Sequence, residues 1–156
     1  MTDTKDKKEL RAYLEGILDK KCGDKSGKIY GLGHAVYTMS DPRAMIIKKY
    51  ARKLAEEKGR LDDLELMENI ESIGTKVIME RKNRDFPLCA NVDMYSGLVY
   101  QMLGIPVELY TPLFAIARSA GWCAHRMEEV ISGKRIMRPA YRSIPAKNAY
   151  IPIENR

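Results

Sequence analysis

The residues best suited to chemistry begin with Gly31-Leu32-Gly33-His34. Glycines let a backbone approach a ligand closely, and a histidine there can donate to a carbonyl oxygen or move a proton near neutral pH. The same histidine could equally be a hydrogen-bonded loop residue, and its type alone does not choose. Asn91-Val92-Asp93 opens a helical pattern after a loop. Asp93 there reads either as the helix N-cap or as a carboxylate at the mouth of a cleft, acting as general base. Arg43 comes just after a helix start and needs no ligand if solvated. Arg118 lies inside the apolar run Leu113–Trp122, where an unpaired guanidinium is costly, so an internal carboxylate or a ligand carboxylate should answer it. Lys134, Arg135, Arg138, Arg142 and Lys147 occur with no acid between residues 131 and 147. Three readings fit them: a solvated tail, a tail reaching a small anion, and a contact to nucleic-acid phosphates.

The elements that must position these groups keep the 3.6-residue period. Leu10, Tyr13, Leu14, Ile17 and Leu18 form one stripe within residues 5–21, stopped by the turn formers of residues 22–27. Lys28 to Ser40 has no helical period and reads as an exposed loop with at most a short extended piece. Asp41-Pro42-Arg43 starts a second helix, Asp as cap and Pro at the first helical position, with Ile46, Ile47, Tyr50 and Leu54 as its stripe and Gly59 as its end. A third runs from Asp62 to Lys82; Gly74 inside it costs roughly 1 kcal/mol relative to Ala, which suggests close packing. After a loop at residues 83–92, Asp93–Leu103 is a fourth helix. A fifth runs from Ile105-Pro106 to Ile131, apolar on most sides, the pattern of a helix buried in a larger body. Beyond Ser132 the chain reads as a basic tail punctuated by prolines. The expected class is all-α.

Length and composition bound the rest. The 156 residues are 45% hydrophobic and 31% charged, which excludes wholesale disorder and low-complexity chains. No apolar run approaches the ~18 residues of a membrane span, and the start lacks a signal-peptide core, so no membrane is expected. Cys22, Cys89 and Cys123 form no CxxC pair and suit a reducing cytoplasm. No metal site is expected, because Cys22 and His34 lack a second pair of ligands nearby. The net charge of +6 is uneven: residues 1–60 carry 15 basic and 9 acidic side chains, residues 61–100 carry 4 and 8, and residues 101–156 carry 8 and 4. Basic groups gathered around a small polyanion fit this at least as well as a nucleic-acid surface does.

Each motif is weak alone, but their order is specific. Gly31-Leu32-Gly33-His34-Ala35-Val36-Tyr37 with Asp41-Pro42-Arg43-Ala44 after it resembles the substrate loop of citrate synthases. Asn91-Val92-Asp93-Met94-Tyr95-Ser96-Gly97 resembles the segment holding that family's catalytic aspartate. Gly104-Ile105-Pro106 and Phe114 to His125 resemble the family's next helix, and Arg138-Pro139 resembles its arginine near the C-terminus. The resemblance runs from about residue 5 to about residue 145.

The resemblance implies a multi-helical small domain of citrate synthase type over residues 1–104. Residues 105–156, the extra C-terminal helix and tail, would belong to the large domain of the full enzyme. It implies the condensation of acetyl-CoA with oxaloacetate to citrate and CoA, or the related 2-methylcitrate synthase reaction. His34 would polarise the keto oxygen of oxaloacetate and Asp93 would take a proton from the acetyl methyl group. Arg43 and Arg118 would hold oxaloacetate carboxylates, Arg138 would reach a carboxylate in the partner subunit's site, and Gly31, Gly33 and Asn91 would lie against acetyl-CoA. No tightly bound cofactor is implied, and acetyl-CoA is a substrate.

The full enzyme would be a homodimer; the chain alone would be inactive and prone to a non-native oligomer. The enolate-stabilising histidine of the family sits in a Gly-x-x-His-Gly-like motif upstream, and the chain contains no such motif. Ala90 replaces the usual proline before Asn91, and Thr38 stands where some relatives place a basic residue near CoA phosphates. Outside the resemblance, a non-catalytic helical interaction module remains the alternative.

Overall fold

The computed structural model describes residues 6–83, 87–132 and 152–155, in which five α-helices succeed one another: α1 (Lys7–Leu18), α2 (Pro42–Lys58), α3 (Leu61–Lys82), α4 (Asp93–Met102) and α5 (Tyr110–Ser132). Short 3-10 turns occupy Val107–Leu109 and Ile153–Asn155. The all-α class holds. The chain divides into two compact units, Met1–Pro112 and Leu113–Arg156.

In the first unit, caps mark the start of α1 and both ends of α2. Asp6 accepts from the Lys8 and Glu9 amides at the start of α1. The helix stops at Leu18, three residues short of the expected end, and Lys20 takes a left-handed φ of 61° in the turn beyond it. Asp41 caps α2, Pro42 opens it, and Gly59 closes it in the left-handed conformation, as the sequence predicts.

Two apolar clusters form the core. One joins Leu10 and Leu14 of α1 to Ile29 and Ile78. The other joins Ala51 and Ala55 of α2, Leu64 of α3, Ala90, and Met94, Tyr95, Leu98, Val99 and Met102 of α4. Leu32, in the glycine loop, packs against both.

The buried face of α2 differs from the expected stripe. Ile46 and Tyr50 are exposed, whereas Ala44, Ala51 and Ala55 are buried with Ile47 and Leu54 beside them. Small side chains let α2 lie close against the bulky face of α4. Across the α2–α3 seam, Lys48 pairs with Glu71 at 2.8 Å and Arg52 with Glu68 at 2.7 Å. The buried Tyr95 hydroxyl donates to Glu71, so α4 is tied to the same seam.

The last long helix, α5, begins at Tyr110 rather than Ile105, because Val107–Leu109 first makes a 3-10 turn; most of its length lies in the second unit. No residue of α5 is buried in this chain; Ile116, Trp122 and Ile131 are all more than half exposed.

Candidate active site

The glycine loop and the segment before α4 are distant in sequence and are joined by an isolated antiparallel bridge between Leu32 and Ala90. The Gly33 amide donates to the Cys89 carbonyl at 2.8 Å, and the Asn91 amide donates to the Gly31 carbonyl at 2.9 Å. The Asn91 side chain completes the join. Its Nδ2 donates to the Gly33 carbonyl at 2.8 Å, while its Oδ1 accepts from the Asp93 amide at 3.0 Å.

Gly31 is required by this arrangement. Its φ is +84°, and a Cβ there would sit 3.0 Å from the Met94 Cα at the start of α4. The polar groups of Gly31, Gly33 and Asn91 are thus used to hold two loops together. A cavity of about 550 Å³ opens beside them, and His34, Gly33, Asn91 and Asp93 all line it. A more apolar cavity of about 740 Å³ adjoins Gly31, Tyr30, Met94 and Asp93.

Asp93 is not the N-cap of α4. The residue in that position is Val92, which makes no side-chain cap, and Asp93 is the first residue of the helix. Its carboxylate is exposed and takes no hydrogen bond among the described residues, which leaves it available to a ligand. A carboxylate in the first helical turn is favoured by the exposed amides there.

His34 is exposed and oriented from one side. Its Nδ1 accepts from the backbone amides of Val36 (3.0 Å) and Tyr37 (3.1 Å), so the neutral imidazole carries its proton on Nε2. The Tyr37 ring lies 4.9 Å from the imidazole and 5.2 Å from the Arg43 guanidinium carbon. Arg43 Nη2 stands 3.2 Å from His34 Nε2. Two donors therefore converge, and a single acceptor oxygen can take both.

Arg43 itself is clamped by Asp41: Nε donates to Oδ1 at 3.0 Å and Nη2 to Oδ2 at 2.8 Å. These hydrogen bonds hold the Asp41 carboxyl down at about 2, against an ordinary 3.8, and the charge of Asp93 also acts on Arg43. The structure thus brings together His34, Arg43, Asp93, Asn91, Gly31 and Gly33.

Arg118 lies on α5 in the second unit, where its guanidinium carbon stacks 4.8 Å over the Phe114 ring, one turn earlier; no carboxylate pairs with it among the described residues. Arg138 falls outside the described residues. Asp41 and Tyr37 join the site, although the sequence marked Asp41 only as the cap of α2 and gave Tyr37 no role of its own. The i, i+2 spacing of Asp41 and Arg43 across a proline is the available hint.

Among the described residues no group of three or more His, Cys, Asp or Glu side chains gathers as a metal site, and no helix is long and apolar enough to cross a membrane.

Comparison with known proteins gives a consistent result. The family model "Citrate synthase, C-terminal domain" matches residues 1–140. A citrate synthase of Synechocystis sp. is 38% identical over 148 residues, covering 94% of this chain and 34% of the relative. A 2-methylcitrate synthase of Shewanella oneidensis is 38% identical over 156 residues, covering 99% of this chain and 38% of the relative. Among solved structures, citrate synthase from Thermoplasma acidophilum, in ternary complex with carboxymethyl coenzyme A and oxaloacetate, aligns with a TM-score of 0.62 at 33% identity, covering 96% of this chain and 42% of that one. Citrate synthase from Pyrobaculum aerophilum gives 0.64 at 33% identity, covering 98% and 38%. The chain therefore spans well under half the length of these relatives.

Proposed function

The chain belongs to the citrate synthase family, and from that premise we propose that it supplies the oxaloacetate-polarising and proton-abstracting groups for condensation of acetyl-CoA with oxaloacetate. The observation that carries the reading is the Leu32–Ala90 bridge, which puts the donor His34 and the unengaged carboxylate Asp93 on one cavity.

Asp93 removes a proton from the acetyl methyl group. That methyl is a very weak acid, so the base needs fixed placement and the enolate oxygen needs a donor. The enolate carbon attacks the keto carbon of oxaloacetate as His34 Nε2–H stabilises and protonates the oxygen on which charge collects, giving a citryl thioester. Water then hydrolyses the thioester to citrate and free CoA thiol. Arg43 takes a substrate carboxylate beside the keto oxygen through Nη1 and the remaining Nη2–H, since its Nε–Nη2 edge is held by Asp41. Arg118 supplies a further carboxylate contact once the rest of the protein is in place, and Arg138 reaches a carboxylate in the partner subunit's site. Gly31, Gly33 and Asn91 form the wall against which the thioester lies. The enolate donor is a histidine in the part of the protein that the relatives carry upstream. The solved Thermoplasma relative, with a CoA derivative and oxaloacetate bound, supports this assignment of substrates.

Residues 105–156 belong with the remaining length of the protein, which acts as a homodimer in the cytoplasm. A second reading, 2-methylcitrate synthesis, has the support of the Shewanella relative, which is as similar as the Synechocystis citrate synthase is. Fusing the chain behind the N-terminal portion of the Synechocystis relative and measuring CoA thiol release tests both. We expect turnover with acetyl-CoA and oxaloacetate in the fusion and none in the chain alone. Preference for propionyl-CoA selects the second reading. A folded fusion that releases no thiol from either substrate refutes the assignment.

A further inference from the structure

We propose that Asp41 is a positioning residue that fixes the Arg43 guanidinium in the plane and place from which it receives a substrate carboxylate. This deepens the citrate synthase reading and rests on it for the identity of the substrate.

Capping α2 does not by itself require a buried charge, since Ser or Asn caps as well as Asp. Asp41 is nonetheless 1% exposed, the one buried charged side chain among the described residues. A carboxylate removed from water in this way is tolerated where it is paired and hydrogen-bonded. Asp41 meets that condition chiefly through Arg43: the backbone N–H and Nε of Arg43 donate to Oδ1 and its Nη2 donates to Oδ2. The Ala44 amide adds a smaller contribution from the same helical turn.

The geometry has a consequence for the guanidinium. Using Nε and Nη2 as a fork fixes both its position and its plane, and it leaves Nη1 without a partner among the described residues. The clamped group sits with Nη2 3.2 Å from His34 Nε2 and its carbon over the Tyr37 ring. A flexible arginine loses substantial rotamer freedom when it binds a ligand. Here that ordering precedes binding, which is the general route by which preorganisation raises affinity. Without Asp41, Arg43 would be an unrestrained first-turn side chain, and the His34 donor would lose its fixed neighbour.

Asparagine at this position separates the two roles. It keeps the cap acceptor at Oδ1 but turns the second oxygen into a donor that faces Arg43 Nη2. In the active fusion, Asp41→Asn should raise the oxaloacetate KM about 10- to 100-fold with a much smaller change in kcat. It should add nothing to the KM of Arg43→Ala, because its effect passes through that residue. Asp41→Ser, another good cap, should behave alike and serves if the asparagine variant does not fold.

The second measurement needs no activity. In the chain itself, the Arg43 Nε–H should give a resolved, slowly exchanging NMR resonance that is lost in Asp41→Asn while far-UV circular dichroism is unchanged. An unaltered Nε–H resonance in the variant, an unchanged or lowered KM, or a KM effect that persists in full on the Arg43→Ala background overturns the inference. A wild-type fusion that turns over no substrate sinks the functional reading instead, and the Nε–H experiment still decides whether Asp41 orders Arg43.

Discussion

Gly74 is where a single methyl group tests the packing beneath the glycine loop. It lies in the middle of α3 and is buried; a Cβ built there would meet Leu32 Cδ1 at 2.7 Å, with Leu14 Cδ1 at 3.7 Å and Ile29 Cδ1 at 3.8 Å. Carbon atoms pack at about 3.5–4.0 Å, so the added methyl intrudes roughly 1 Å on Leu32 and makes ordinary contact with the other two. Removing a mid-helix glycine gains about 1 kcal/mol of helix propensity. Displacing Leu32 from its rotamer costs about 0.5–1.5 kcal/mol, and the obstructing atom is the end of a flexible side chain that is only part-buried. The two nearly cancel, so Gly74→Ala should leave stability within about 1 kcal/mol of wild type while shifting the backbone amides of residues 31–34. Gly74→Val adds two more carbons in the same crowded space and gives up part of the propensity gain, so it should cost about 1–3 kcal/mol by overpacking.

Urea unfolding monitored by circular dichroism measures both, and amide chemical shifts report the loop. Leu32→Ala should relieve much of the Gly74→Val penalty, a coupling that a double-mutant cycle reads directly. If Gly74→Val is as stable as wild type, or its penalty is unchanged by Leu32→Ala, the glycine does not set the height of the loop.

Three further outcomes are expected from the same geometry. Asp93→Asn in the fused protein should abolish thiol release yet leave oxaloacetate binding by calorimetry intact, because the amide keeps the size but cannot accept the proton; Arg118→Leu should instead raise the oxaloacetate KM. Asp41 is held at about 2 in the folded chain against an ordinary 3.8. Its folded value is depressed, so the stability it contributes, of order 2 kcal/mol, is full above about pH 4 and lost as pH falls toward 2; urea midpoints from pH 5 down to pH 2 should show this fall, shallower in Asp41→Asn. The exposed apolar side chains of α5, Phe114, Ile116, Trp122 and Ile131 among them, should drive the isolated chain to self-associate at micromolar concentration, and sedimentation showing a clean monomer would refute this.

Features legible in the sequence are those that depend on neighbours along the chain. Asp41-Pro42 and Gly59 bound α2 as expected because capping is local, and α3 and α4 begin within a residue of the predicted positions although neither start carries a side-chain cap. Features hidden from it depend on packing. The stripe of Ile46 and Tyr50 is the more apolar face of α2, but the buried one is the alanine face, since contact with the large side chains of α4 rewards small size over hydrophobicity. Asp93 reads as a cap because Asp commonly caps, whereas the helix begins one residue earlier, with Val92 in the cap position, and the carboxylate is left free. The Asp41–Arg43 clamp is hidden because the cap role already accounts for Asp41.

The loop that carries His34 has the weakest pattern in the sequence, and it is fixed by one side chain and one bridge. Leu32 is shared by both apolar clusters, so the α1–α3 and α2–α4 packing each constrain it. On either side of it, Gly31 and Gly33 make backbone hydrogen bonds with Asn91 and Cys89. A loop held in this way needs no strand of its own, since a single bridge suffices when the residue at its centre is anchored in the core. The glycines that make the segment look irregular are what allow it to lie against the start of α4. The placement of His34 relative to Asp93 therefore depends on Leu32 more than on either functional residue. A cavity-forming change at Leu32 should loosen His34 and Asp93 together, which is why the Gly74–Leu32 packing bears on the geometry of the candidate site as well as on stability.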